Sequence, residues 1–228
     1  MLVRDWRRGL YAIADTALIP ADQLSGLVAA ALQGGARAIQ YRDKSSPPAQ
    51  REAQARVLLN LCHKRGATFI INDDVDLCAR IQADGVHLGQ NDTALPQARA
   101  RLGAGAIIGL SCYNQLPRAL MAAEAGADYV AFGRFYPSRT KPEAVQADID
   151  LLREARRRLA LPIAVIGGIT AQNGAALIEA GADLLAVIDG VFGQTDVHTA
   201  ARNIAALFDG EATRQNLPHH RGTKNTEA

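Results

Sequence analysis

Residues 126–133 read GADYVAFG, and residues 181–190 read GADLLAVIDG. In both, a Gly-Ala-Asp phrase marks the end of a segment with helical periodicity and opens directly into a run of apolar, strand-forming residues. A close variant, Gly34-Gly-Ala36, precedes AIQYR at 38–42. Such repetition points to one architecture used several times along the chain. The apolar runs are nearly continuous rather than alternating, so both faces of each strand must be buried. That is the pattern of a parallel sheet covered by helices.

Working outward, strand-like runs fall near 10–14, 38–42, 68–72, 85–88, 107–111, 129–133, 162–167 and 184–189. Helical segments rich in Ala, Leu, Arg and Gln lie near 22–33, 47–65, 74–82, 94–102, 115–125, 148–159, 171–180 and 197–208. Eight strand-helix units in 228 residues fit an α/β protein built as a single (β/α)8 TIM barrel over residues 1–209. A doubly wound open sheet is the competing layout. Residues 210–228, which contain EATRQNLPHHRGTKNTEA, lose all periodicity and are expected to form a disordered tail. His219 and His220 within it are adjacent and lack further ligands, which argues against a metal there.

Composition narrows the function. With 48% apolar and 21% charged residues, the chain can enclose a large core, and a net charge of +2 supplies no field for nucleic acid or a membrane surface. Cys62, Cys78 and Cys112 match no zinc or redox spacing and read as reduced core residues. No run approaches a membrane span, and the first fifteen residues are too interrupted for a signal peptide, so a cytoplasmic setting is expected.

In a barrel of this kind, functional groups occupy the loops after the carboxyl ends of the strands. The segment GRFYPSRTKPEA at 133–144 carries two arginines, two aliphatic hydroxyls and a lysine, where a turn needs only its glycine and prolines. Ser138, Thr140 and Lys141 can surround phosphate oxygens there, although a Pro-rich surface loop is the plainer alternative. Gln40, Arg42 and Lys44 alternate, which directs them to one face and favours a multiply charged anion; a rim in which Asp43 neutralises one cation is the competing view. Asp73 and Asp92 follow neighbouring strands and suit a hard cation bound through oxygens and water, or else each caps the next helix. Gly167-Gly168 lets backbone N–H groups approach a second anion. His87 reads as a hydrogen-bonded core imidazole. The sequence contains no nucleophile beside a base and no HExxH, so a reaction with little proton transfer fits the inventory.

The joint set of Gln40-x-Arg42-x-Lys44, Asn72-Asp73, Gly85-Val-His-Leu-Gly-Gln-x-Asp92, Ser111, Ser138-x-Thr140-Lys141, Gly167-Gly168-Ile169 and Ala186-Val-Ile188 resembles the thiamine-phosphate synthase family over about residues 10–208. That resemblance implies an eight-unit barrel that joins hydroxymethylpyrimidine diphosphate to thiazole phosphate through a dissociative step, giving thiamine phosphate and pyrophosphate. It implies that Gln40, Tyr41, Arg42, Asp43, Lys44 and Asn72 hold the pyrimidine diphosphate and that Asp73 and Asp92 bind Mg2+. Ser111 and Lys141 would contact the diphosphate, and Arg42, Ser111 and Lys141 form the expected catalytic set. Ser138, Arg139, Thr140, Gly168 and the backbone at Ile188 and Asp189 would hold the thiazole phosphate. A homodimer is compatible with the resemblance.

Three stretches depart from the family pattern. Arg134-Phe-Tyr-Pro-Ser138 stands where Gly-Pro-(Ile/Val)-Phe-Pro-Thr is common, Cys112-Tyr-Asn114 replaces the usual threonine or histidine, and Asp189 replaces a serine. A carboxylate at 189 is costly beside a phosphate unless its side chain turns away. A related thiazole tautomerase would need neither the aspartates nor the cationic row. A phosphate-sensing barrel would bind without turnover.

Overall fold

Strand alternation sorts the side chains of this chain into two cores, one inside a closed barrel and one between the barrel and its helices. The computed structural model describes residues 5–137 and 145–209. Ser138, Arg139, Thr140, Lys141 and the expected tail at 210–228 lie outside the described residues.

The strands β1 (Gly9–Asp15), β2 (Ala38–Arg42), β3 (Thr68–Asn72), β4 (Gly85–Leu88), β5 (Ile107–Tyr113), β6 (Tyr129–Gly133), β7 (Ile163–Ile166) and β8 (Leu184–Val187) pair in sequence order. All pairs are parallel, and β8 closes on β1 from Gly9↔Leu184 to Ala12↔Val187. Closure removes the open-sheet alternative. Around the barrel lie α1 (Leu24–Gln33), α2 (Pro48–Lys64), α3 (Val75–Ile81), α4 (Leu95–Leu102), α5 (Leu116–Glu124), α6 (Ile149–Arg158), α7 (Gly174–Glu179), α8 (Asp189–Phe192) and α9 (Val197–Ala205).

Outward-facing residues such as Ile39, Phe69, Val86, Ile108, Val130 and Phe132 are buried beneath the helices. Tyr11, Ile13, Ile70, Tyr129, Ala164 and Leu184 fill the interior. Burial of both faces is what the unbroken apolar runs required. A Cβ on Gly109 would come within 2.0 Å of the Tyr129 ring, so glycine at that position makes room for a phenol inside the barrel. Trp6, just ahead of β1, packs edge-on against the same ring at 5.7 Å between centroids.

Among the boundaries that differ from the sequence reading, three bear on the site. β8 stops at Val187, two residues early, because the amides of Val191 and Phe192 fold back on the Ile188 carbonyl and turn 189–192 into α8. β5 runs on to Tyr113 through an irregularity between Ser111 and Tyr113, a device that re-aims side chains beside a site. α7 begins at Gly174 rather than near 171, because Asn173 is tied into the preceding turn. Its Oδ1 accepts from Thr170 N at 2.8 Å and its amide donates to Gly168 O at 2.9 Å.

Candidate active site

The carboxyl ends of the strands surround a cavity of about 800 Å3. Gln40, Arg42 and Lys44 reach it from β2 and its loop, Asn72 and Asp73 from the end of β3, Asp92 from the loop after β4, and Ser111 from β5. Gly168, Ile188 and Asp189 complete the opposite wall. Positions separated by up to 149 residues (Gln40 to Asp189) therefore share one mouth.

Alternation along β2 divides the cluster at 40–44. Gln40 and Arg42 face inward, whereas Tyr41 and Asp43 do not line the cavity. The Tyr41 hydroxyl lies 3.0 Å from Asp43 Oδ2 and 2.8 Å from Gln54 Oε1. Asp43 Oδ1 accepts from Ser45 N at 3.0 Å and Ser46 N at 2.9 Å. Burial pushes the Asp43 carboxyl up, but the Ser46 and Ser45 amides and the Ser46 and Tyr41 hydroxyls outweigh it and hold the pKa at about 2. The strand period thus turns the Tyr41 and Asp43 side chains away from the cavity that Gln40 and Arg42 line, and there they brace the loop that carries Lys44.

Nor does Asp43 neutralise the cationic row. Arg42 Nη1 donates to Asp15 Oδ2 at 2.5 Å, and Lys44 Nζ pairs with Asp73 Oδ2 at 2.8 Å. Asp15 is 2% exposed, and its other oxygen accepts from Ala17 N at 3.0 Å. The sequence reading missed Asp15, although it is the last residue of β1 and the strand-end rule applied elsewhere would have found it.

Asp73 and Asp92 are free of the capping role. The α3 cap is Asp74, whose Oδ1 accepts from Leu77 N at 2.8 Å, and the residue preceding α4 is Ala94. Asp73 adopts a left-handed backbone at φ 64°, a conformation that aspartate tolerates better than most residues. Asp92 Oδ2 accepts from Gly89 N at 2.7 Å, and the two carboxyls are near enough for each to shift the other's pKa. Burial pushes Asp73 up, yet the bond from Lys44 and the neighbouring Asp92 carboxyl outweigh it and the net shift is downward. Burial and the Asp73 carboxylate both push Asp92 upward. Two carboxylates brought together in this way need a shared proton or a cation.

On the opposite wall, Gly168 has φ 62°, and a Cβ there would come 2.3 Å from Pro137 O. Glycine therefore lets the loop after β7 close against the segment leaving β6. Arg134 N donates to Val145 O at 3.0 Å and Ala147 N to Arg134 O at 2.8 Å, which fastens Arg134, at the cavity wall, to residues 145–147. The Asp189 carboxylate turns along α8: its Oδ1 lies 2.4 Å from where a Cβ on Gly193 would be. His87, expected in the core, is hydrogen-bonded and also lines the cavity, with Nε2 2.9 Å from Ser111 Oγ and Nδ1 2.9 Å from the Tyr129 hydroxyl.

A family model described as thiamine monophosphate synthase matches residues 10–191. The chain is 58% identical over 214 residues to the thiamine-phosphate synthase of Nitrosococcus oceani, covering 94% of this chain and 97% of that one. It is 52% identical over 202 residues to the thiamine-phosphate synthase of Thioalkalivibrio sulfidiphilus, covering 89% and 96%. A solved structure, the thiamine phosphate pyrophosphorylase of Pyrococcus furiosus, superposes with a TM-score of 0.82 at 33% identity and covers 90% of this chain and 96% of its own.

Proposed function

The chain belongs to the thiamine monophosphate synthase family, and we propose from that premise how its barrel mouth joins a pyrimidine diphosphate to a thiazole phosphate. The bond between the pyrimidine methylene carbon and the diphosphate oxygen breaks, and its electron pair leaves with the diphosphate. The thiazole nitrogen then donates its lone pair to the pyrimidine cation, giving thiamine phosphate and pyrophosphate. Such a reaction needs positioning and charge neutralisation more than proton transfer, in keeping with a mouth that gathers the Arg42 and Lys44 cations; the fold does bring the Ser111 hydroxyl to 2.9 Å from His87 Nε2, a pair the sequence reading had not brought together.

In this reading Gln40, Arg42, Lys44 and Asn72 hold the pyrimidine diphosphate. Asp15 keeps the Arg42 guanidinium at a fixed angle, so its remaining N–H groups meet phosphate oxygens in a fork. Ser111 and Lys141 contact the diphosphate, with Lys141 opposing its growing charge. Ser138, Arg139, Thr140, Gly168 and the backbone at Ile188 and Asp189 hold the thiazole phosphate; the turn of the Asp189 carboxylate along α8 lowers the repulsion expected there.

Asp73 and Asp92 fit Mg2+: both are hard oxygen donors, both line one cavity and shift each other's pKa, and this ion is commonly held by one or two carboxylates with water and substrate phosphate. When bound, the ion would neutralise charge on the diphosphate oxygens. Lys44, already paired with Asp73, holds that carboxylate in its ionised form. A cytoplasmic setting is consistent with three buried cysteines that form no disulfide, and no helix among the described residues is long and apolar enough to cross a membrane. A homodimer remains the assembly compatible with the family.

The observation that carries this reading is the convergence of the Arg42 and Lys44 cations with the Asp73 and Asp92 pair on one cavity. A two-substrate assay with and without Mg2+ tests it. Thiamine phosphate should form only with the cation present. Tight binding of both substrates without product would favour a sensor, and full turnover in chelator would remove the metal from the account.

A further inference from the structure

Five polar side chains run across the barrel interior without a break. Gln40 Nε2 donates to the Tyr11 hydroxyl at 2.7 Å, and the Tyr11 and Tyr129 hydroxyls are 2.9 Å apart. The Tyr129 hydroxyl is 2.9 Å from His87 Nδ1, and His87 Nε2 is 2.9 Å from Ser111 Oγ. Gln40, Tyr11, His87 and Ser111 line the cavity, whereas Tyr129 is 1% exposed and stacks on the His87 ring at 5.6 Å.

The chemistry of these groups sets the direction of the series. An amide –NH2 can only donate, so the Tyr11 oxygen accepts from Gln40 and its own proton is directed to Tyr129. Tyr129 then gives its proton to His87 Nδ1. The imidazole proton lies on Nε2 and is donated to Ser111 Oγ, which leaves the serine proton for the cavity. Run in reverse, the series would leave the Tyr11 proton without a side-chain acceptor in the series at a site only 2% exposed, and such a donor costs more than the bond it replaces. Burial pushes both phenols well above their ordinary range, so each retains the proton it must pass along.

We propose that Gln40, Tyr11, Tyr129 and His87 form a one-way donor series that fixes Ser111 as a hydrogen-bond donor to the departing diphosphate, with Tyr129 and His87 as positioning residues. The inference rests on the reading of Ser111 as a diphosphate contact. A serine oriented the other way presents a lone pair to an anion and opposes its departure. The forward orientation instead offers a proton where negative charge accumulates, and each upstream bond polarises the next.

Long-range 1H–15N spectra of the histidine rings, with His87 assigned by the signals lost in His87→Asn, read the series directly in the unliganded chain. The expected result is a neutral ring protonated on Nε2, with Nδ1 unprotonated. A ring protonated on Nδ1, or on both nitrogens, overturns the proposal. Tyr129→Phe keeps the aromatic ring but removes the link. It should shift the Nδ1 resonance and lower turnover about tenfold, the size of one hydrogen bond to a charged group. Combined with Ser111→Ala, Tyr129→Phe should cause no additional loss, because its effect passes through the serine. An equal tenfold loss in both backgrounds overturns the proposal. The parent spectrum decides alone if Tyr129→Phe does not fold. A parent chain that forms no thiamine phosphate fails the reading of the site, an outcome the spectrum separates from failure of the series itself.

Discussion

At the base of the barrel, Asp84, Asp128 and Asp183 each stand immediately before an even-numbered strand and each close the same set of contacts. Asp84 Oδ2 accepts from Phe69 N at 2.7 Å and pairs with His63 of α2; Asp128 Oδ2 accepts from Ile108 N at 2.8 Å and from Arg99 of α4 at 2.6 Å. Asp183 Oδ2 accepts from Ile163 N and from Arg156 of α6, both at 2.8 Å. Each carboxylate thus joins the preceding strand to the helix that leads into that strand, and is satisfied by the protein itself. At the mouth the same residue types meet at similar distances, Asp15 with Arg42 and Asp73 with Lys44, but the outcome differs. Asp73 occupies a left-handed backbone, its carboxylate helps push the Asp92 carboxyl upward, and both cations face the cavity. Charge that is closed on itself stabilises a fold, whereas charge left partly uncompensated in a concavity is available to a ligand.

The sharpest way to break this contrast is to remove one carboxylate from each end. Asp73→Asn retains a residue that tolerates the left-handed backbone, and its turnover should fall about a hundredfold, the scale of losing one charge-stabilising group. Its melting temperature should stay near the parent's. Steady-state rates across a Mg2+ titration, with a thermal scan, check both; a parent-like rate would move Asp73 into the structural class. Asp183→Ala should do the reverse. Losing the acceptor for Ile163 N and the partner of Arg156 should cost about 2 kcal/mol, lowering the melting temperature by ~4–8 °C, with turnover at 25 °C retained. An inactive but stable Asp183→Ala would dissolve the distinction.

Asp43 gives a milder test, since it supports a mouth loop without lining the cavity. Its pKa is depressed to about 2, so its ionised form favours the folded state. The stabilisation is complete above the ordinary carboxyl range, near pH 4, and is lost as pH falls toward 2. Denaturant midpoints of parent and Asp43→Asn should therefore differ at neutral pH and converge in acid. A gap that widened on acidification would reverse the assignment. The smallest effect is expected from Arg153→Ala on the outer surface of α6, where an exposed pair with Asp150 at 2.8 Å should contribute less than about 0.5 kcal/mol. A larger shift in the melting temperature would mean that exposed pairs matter here as much as the base contacts do.

Much of the fold was legible because it depends on local pattern. The bounds of β2, β3, β4 and β6 were read as they stand, since each is an apolar run closed by turn residues. β8 was read two residues too long because Ile188 and Asp189 continue an apolar run; only the fold-back onto the Ile188 carbonyl ends the strand. At the site, alternation correctly directed Gln40 and Arg42 to one face, and applying the same period to Tyr41 and Asp43 would have turned them outward. Tyr11 and Tyr129 gave no polar signal, because a phenol in an apolar strand reads as packing until its hydroxyl is seen to have a partner.

Local order along the chain determined that there are eight strand-helix units, which strand residues face the interior, and which loops carry cationic, carboxylate and hydroxyl side chains. Periodicity and turn chemistry act over a few residues and need no partner to be read. Which charges meet was decided only by closure and register. Asp15 stands beside Arg42 because β1 pairs with β2 at that step, and His87 reaches both Tyr129 and Ser111 because β4, β5 and β6 are staggered by the barrel's tilt. Contacts between residues 24 to 118 positions apart arise from the whole barrel's geometry, and no window of sequence contains them.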